Sequence, residues 1–112
     1  MISYDFGDVV LVPFPFTDQT TSKRRPAIVI SSEAYQRSRP DIILIAVTSQ
    51  AKPAGLFGEL PVTEWQKAGL LKPSVIKPVV ASVEKSLVIR KLERLEERDQ
   101  KKLRGVLESI LG

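Results

Sequence analysis

Asp41-Ile42-Ile43-Leu44-Ile45-Ala46-Val47-Thr48-Ser49 is the most strand-like stretch of the chain. Its apolar core is rich in β-branched residues and too short for a buried helix of ordinary length, which predicts a β-strand. The apolar run stops abruptly at Thr48-Ser49-Gln50. Polar side chains at the end of a buried strand are held by a rigid element while facing outward, a position suited to meeting a ligand.

Upstream, Pro26-Ala27-Ile28-Val29-Ile30-Ser31 predicts a strand buried on both faces, with Pro26 at its first residue, where no ladder donor is lost. Thr17 to Arg25 is polar and aperiodic and predicts a long exposed loop. Before it, Val9-Val10-Leu11-Val12 predicts a strand entered from Gly7-Asp8 and ending at Pro13-Phe14-Pro15-Phe16. Glu33 to Ser38 suggests one helical turn. Downstream, residues 51–58 read as a loop, Glu59 to Val62 as a weak strand, and Thr63 to Gly69 as a short helix with Thr63 as its N-cap and Gly69 as its stop. Ser74 to Ser82 is a further strand in which Pro78 demands an edge or a bulge, and Lys91 to Leu95 a last short one. Leu103, Val106, Leu107, Ile110 and Leu111 recur at helical spacing, predicting an amphipathic helix over residues 96–111 packed on the sheet. Many short strands and one closing helix point to a mainly β fold, a small SH3-like barrel, in a single domain over residues 1–112.

The chain has 112 residues, net charge +4, and neither cysteine nor histidine. Thiol nucleophiles, disulfides and thiolate metal sites are excluded, and so are the commonest general base and the commonest metal ligand. Chemistry here falls to Arg, Lys, Asp, Glu, Tyr, Ser or Thr. A basic surface attracts polyanions. The opening residues lack a basic segment followed by an apolar one, and no apolar run reaches the ~18 residues that span a bilayer, so a cytoplasmic protein is expected.

Three stretches, taken in order, resemble the MazF/PemK toxin family: Gly7-Asp8-Val9-Val10-Leu11-Val12-Pro13-Phe14, Arg25-Pro26-Ala27-Ile28-Val29-Ile30-Ser31 and Val47-Thr48-Ser49-Gln50. Lys72-Pro73-Ser74-Val75-Ile76-Lys77-Pro78 and the closing helix sit where family members place a strand and a final helix, so the likeness covers nearly the whole chain. It implies the barrel shared by CcdB, MazF and PemK toxins, a homodimer, a cognate antitoxin, and a metal-independent, sequence-specific endoribonuclease of single-stranded RNA. The family's arginine before proline falls on Arg25 and its strand-end threonine on Thr48, the two implied catalytic residues. Phe16, Thr17, Asp18, Gln19, Lys23, Arg24, Ser49 and Gln50 are the implied RNA contacts.

The chemistry of the pair stands apart from the likeness. When the 2′-OH of RNA attacks the adjacent phosphate, neither a metal nor a protein nucleophile is required. Negative charge on the phosphoryl oxygens must be stabilised and protons moved. A guanidinium fork matches phosphate, and a threonine hydroxyl adds one donor. Arg25 could equally be a solvated charge at a strand entry, and Thr48 an ordinary strand residue. Thr20 stands where several family members carry a glutamate, and Ile76-Lys77-Pro78-Val79 lacks an acid that some carry, so the general base stays open between Asp18 and other groups. A CcdB-like barrel that inhibits a protein such as DNA gyrase, and a degenerate member that binds only its antitoxin, are the competing readings.

Overall fold

The computed structural model describes residues 3–13, 24–49 and 55–112. Among these, the strands are β1 (Asp8–Pro13), β2 (Arg24–Val29), β3 (Asp41–Ser49), β4 (Leu60–Pro61), β5 (Ser74–Glu84) and β6 (Arg90–Arg94). Helix α1 (Glu33–Ser38) links β2 to β3, and helix α2 (Glu97–Leu111) follows β6. The strands form one antiparallel sheet in the order β4-β5-β3-β2-β1-β6. β3 lies inside the sheet between β2 and β5, as its unbroken apolar run requires.

Strand alternation sorts the apolar residues into two cores. Val9, Ile28, Ile45, Val47 and Ile76 face α2, where Leu103 is fully buried and Leu107 partly so. Val10, Val12, Ala27, Val29, Ile42 and Leu44 face the other way, against Tyr4 and Val88. The sheet curls into a half-barrel, and the segment after β4 reaches the far edge. A Cβ added at Gly69 would lie 3.1 Å from the backbone nitrogen of Glu93 on β6.

Three expectations need correction. β2 begins at Arg24, not at Pro26, so Arg24 and Arg25 are strand residues rather than the end of a loop. Pro26 is tolerated as the third residue because Ile30 N donates to β3, which puts the even-numbered residues' donors on that side, and the β2–β3 ladder runs only as far as Ala27. Thr63 to Gly69 is a run of hydrogen-bonded turns rather than a helix. Its first amides are capped by the Asp99 carboxylate of α2, with Thr63 N at 3.0 Å and Glu64 N at 2.9 Å, and not by the Thr63 side chain. Gly69 does end the run, at φ +83°.

Pro78 lies in a bulge. Ile45 pairs with Val80 and Ala46 with Lys77, so Pro78 and Val79 have no partners on β3. The closing helix matches the expected span with Glu96 as its N-cap residue. No described helix is long and apolar enough to cross a membrane.

Candidate active site

Antiparallel pairing brings the end of β1, the start of β2, the end of β3 and the starts of β5 and β6 to one end of the sheet. This end carries Arg24, Arg25, Lys72 and Arg90, and none of them forms an ion pair among the described residues. The opposite end holds acids that are already matched. Asp8, 1% exposed, accepts from Arg94 Nε at 2.9 Å and lies 3.1 Å from Lys91 Nζ, while Asp5 accepts from Arg94 at 2.7 Å. Asp41 accepts from Arg39 at 2.8 Å and from the Tyr35 hydroxyl at 2.7 Å. These bonds, that of Tyr35 first, hold the Asp41 carboxyl below its usual range, and its bond to Asp8 before all else holds the Arg94 guanidinium above its own. Among the described residues, matched acids at one end and cations without an ion pair at the other leave a positive field where β2 starts and β3 stops.

The β2–β3 register pairs Ala27 with Ala46, Ile28 with Ile45 and Val29 with Leu44. Continued by two residues, it sets Arg25 opposite Thr48. Arg25 is paired with Val12 on its other side, and Thr48 with Val75. Directly opposed residues share a face, so Arg25 and Thr48 emerge on the Val12 side of the sheet, and both are half-buried. Ser49 and Arg24 alternate to the other face, where Ser49 borders an apolar cavity of about 240 Å³. Arg25 and Thr48 thus emerge on one face of the sheet, and Ser49 and Arg24 on the other. Phe16, Thr17, Asp18, Gln19, Lys23 and Gln50, with Thr20, lie outside the described residues.

Two further polar residues on the Arg25 face were missed in the sequence. Lys77 opposes Ala46, one strand-neighbour pair behind Thr48, about 7 Å along the strand. Its ammonium is bonded to the Glu59 carboxylate, and the two side chains are 24% and 5% exposed. The only signal was Lys77 itself, the one charge inside the Ser74–Ser82 strand run. Its partner Glu59 is visible only once the β4–β5 register is known, since Leu60 pairs with Ile76 and Pro61 with Val75. Among the described residues no cluster of three His, Cys, Asp or Glu side chains is placed to hold a metal ion.

Fold and charge together define a small curled-sheet protein with a cationic strand end suited to a phosphate chain. The PemK-like, MazF-like toxin family of type II toxin–antitoxin systems matches residues 5–111, and the chain belongs to that family. No curated protein matches it by sequence. MazF of Deinococcus radiodurans is similar at 28% identity, with TM-score 0.75 over 100% of this chain and 99% of that one. The MazE–MazF complex of the same organism is similar at 27% identity, TM-score 0.76, over 99% and 98%. A mycobacterial endoribonuclease in complex with its cognate antitoxin shares the fold at 15% identity, TM-score 0.76, over 100% and 96%.

Proposed function

We propose that the chain is the toxin component of a toxin–antitoxin pair and cleaves single-stranded RNA, with sequence preference and without a metal, by attack of a 2′-OH on the adjacent phosphate. The observation that carries this reading is the β2–β3 register, which on continuation opposes Arg25 and Thr48 at the unmatched cationic end. Arg25 grips the phosphoryl oxygens through its guanidinium fork, and Thr48 donates one further hydrogen bond as charge builds there. Lys77 is neutralised by the Glu59 carboxylate, and Glu59 is an acid on this face that stands in for the missing family glutamate. Phe16, Thr17, Asp18, Gln19, Lys23, Arg24, Ser49 and Gln50 serve as further RNA contacts. Endoribonuclease activity of the structural neighbour and the absence of histidine and cysteine both favour this chemistry.

Incubation with single-stranded RNA in EDTA tests it. Cleavage leaving 5′-hydroxyl and cyclic-phosphate ends is expected, with kcat/KM falling about 100- to 1,000-fold in Arg25→Ala and Thr48→Ala proteins whose urea midpoints are unchanged. Intact RNA under all conditions, with tight binding to a protein target instead, transfers the chain to the inhibitor reading.

The protein works in the cytoplasm as a homodimer held in check by a cognate antitoxin, as MazF is found with MazE. The surface that fits a second copy joins Phe57, Val79, Val80 and Leu111, all exposed, through the approach of Gly58 to Pro78 and Ile110. Val79 and Val80 lie on β5 beyond the two residues that β4 covers. Val80→Lys is expected to convert a dimer to a monomer by light scattering.

A further inference from the structure

We infer that Lys77 is a further RNA-contacting residue, donating to the phosphate beside the one held by Arg25 and Thr48, and that Glu59 is the residue that positions it. This rests on the RNA-cleavage reading and extends its grip by one phosphate.

The strand pairings put Lys77 on the Arg25 face. Thr48 lies opposite Val75 on β5, and Lys77, two residues on from Val75, lies opposite Ala46. Residues two apart on a strand share a face. Lys77 is therefore the diagonal neighbour of Thr48, at a separation of about 7–8 Å that long side chains bridge. Arg25, Thr48 and Lys77 stand on three successive strands of the sheet, β2, β3 and β5. That step across the face is comparable with the step between neighbouring phosphates of an extended strand. Glu59 falls opposite Lys77 on the other side, since Leu60 pairs with Ile76, and its carboxylate bonds the ammonium. The bulge begins at the next residue, because Pro78 and Val79 have no partners on β3. Bulges re-aim side chains and are frequent beside active sites.

Stability does not account for the pair. Most of both side chains lies out of water, and Ala46, Ala27 and Val10, in the same row across the sheet, are apolar and buried. Two apolar residues would hold such a place about as well, because desolvating two charges offsets most of their attraction. What an apolar pair lacks is a donor. An ammonium carries three N–H donors, and Glu59 is the one group that Lys77 bonds among the described residues. The carboxylate is covered, while 24% of the lysine side chain is open to solvent, so donors remain for a ligand on this face. As a neutral pair the two add little to the distant pull on RNA. Their contribution is a short-range, charge-assisted hydrogen bond to phosphate. A lysine already tied at its tip also loses less freedom when RNA arrives.

The test remakes the RNA sequence cut by the wild-type chain with a 2′-deoxy sugar at the cut, and places a single methylphosphonate at each position in turn. This group replaces one charged phosphoryl oxygen by methyl. The wild-type chain is expected to lose affinity about tenfold at the scissile phosphate and again at one neighbour. The double variant Lys77→Met, Glu59→Gln removes both charges together and leaves no covered carboxylate without its cation. It is expected to bind the unmodified strand about tenfold more weakly, to be indifferent to the methyl group at that neighbour, and to keep its loss at the scissile phosphate. Lys77→Arg keeps both losses. Glu59→Gln alone retains the ammonium but loosens it, and is expected to halve the neighbour's effect or more; it supplies the same comparison should the double variant not fold. Equal losses in the wild-type chain and these variants at every phosphate overturn the inference, and leave the cleavage reading intact where the wild-type chain still cuts. Failure of the wild-type chain to bind or cut any RNA overturns both.

Discussion

Asp99 has no exposed surface although it lies in the first turn of a helix that packs on the outside of the sheet. Its two oxygens accept the amides of Thr63 and Glu64, so one carboxylate caps a turn 36 residues earlier in the chain. It also sits where the α2 dipole favours negative charge. Asp99→Ala leaves two part-buried amides without their partner and is expected to cost about 2–4 kcal/mol in urea unfolding. Asp99→Asn, which keeps one acceptor, costs less. Asp41 makes a different contribution. Bonds from Tyr35 and then Arg39 depress its pKa in the folded chain, so the unfolded chain takes up its proton more readily. The stabilisation is complete above the ordinary carboxylate range and is lost as the pH falls through the depressed folded value. The gap in urea midpoint between wild type and Tyr35→Phe, measured at pH 7, is therefore expected to narrow as the pH is lowered toward 2.

The turns between β4 and β5 decide whether the sheet can curl. Gly69 holds φ +83°, and a Cβ there would sit tightly against Glu93, 3.1 Å from its backbone nitrogen. Gly69→Ala meets both strain and a backbone contact and is expected to cost about 1–3 kcal/mol, with a fall in the urea midpoint as the readout. Gly105 on α2, with nothing within 4 Å of its Cβ position, is the matched control, where Ala is expected to stabilise slightly. This element also marks the limit of legibility in the sequence. β3 and α2 were readable because their periodicity is local: an unbroken β-branched run, and apolar residues at Leu103, Val106, Leu107, Ile110 and Leu111. Thr63 to Gly69 looked like a helix because Thr63 and Gly69 are good boundary residues, yet the cap comes from Asp99, which no local window contains. Arg24 and Arg25 looked like loop because their strand character comes from pairing with Pro13 and Val12 rather than from their own propensity. Arg25 and Thr48 were found through family likeness, and the strand pairings put them on one face of the sheet. The Lys77–Glu59 pair, 18 residues apart, had no such guide.

At the scale of the molecule the charge distribution matters more than the net charge of +4. Asp5, Asp8 and Asp41 each hold a cation at one end of the sheet, while among the described residues Arg24, Arg25, Lys72 and Arg90 have no ion pair at the other. The same arithmetic of charges would attract RNA weakly if the cations were scattered, since exposed charges farther apart than about 8–10 Å are largely screened. Gathered at the strand end, they bind one stretch of phosphates together. Each phosphate neutralised on single-stranded RNA contributes about −0.7 to the slope of log affinity against log salt. Four contacts thus give a slope of roughly −3 by fluorescence titration of an uncleavable strand. Arg24→Gln and Lys72→Gln are each expected to flatten it by about 0.7. Lys67→Gln removes an equal charge from a residue that neighbours Glu64 and Glu96, away from this end, and leaves the slope alone. If all three substitutions change the slope equally, RNA responds to net charge alone, and the strand end has no special part in binding it.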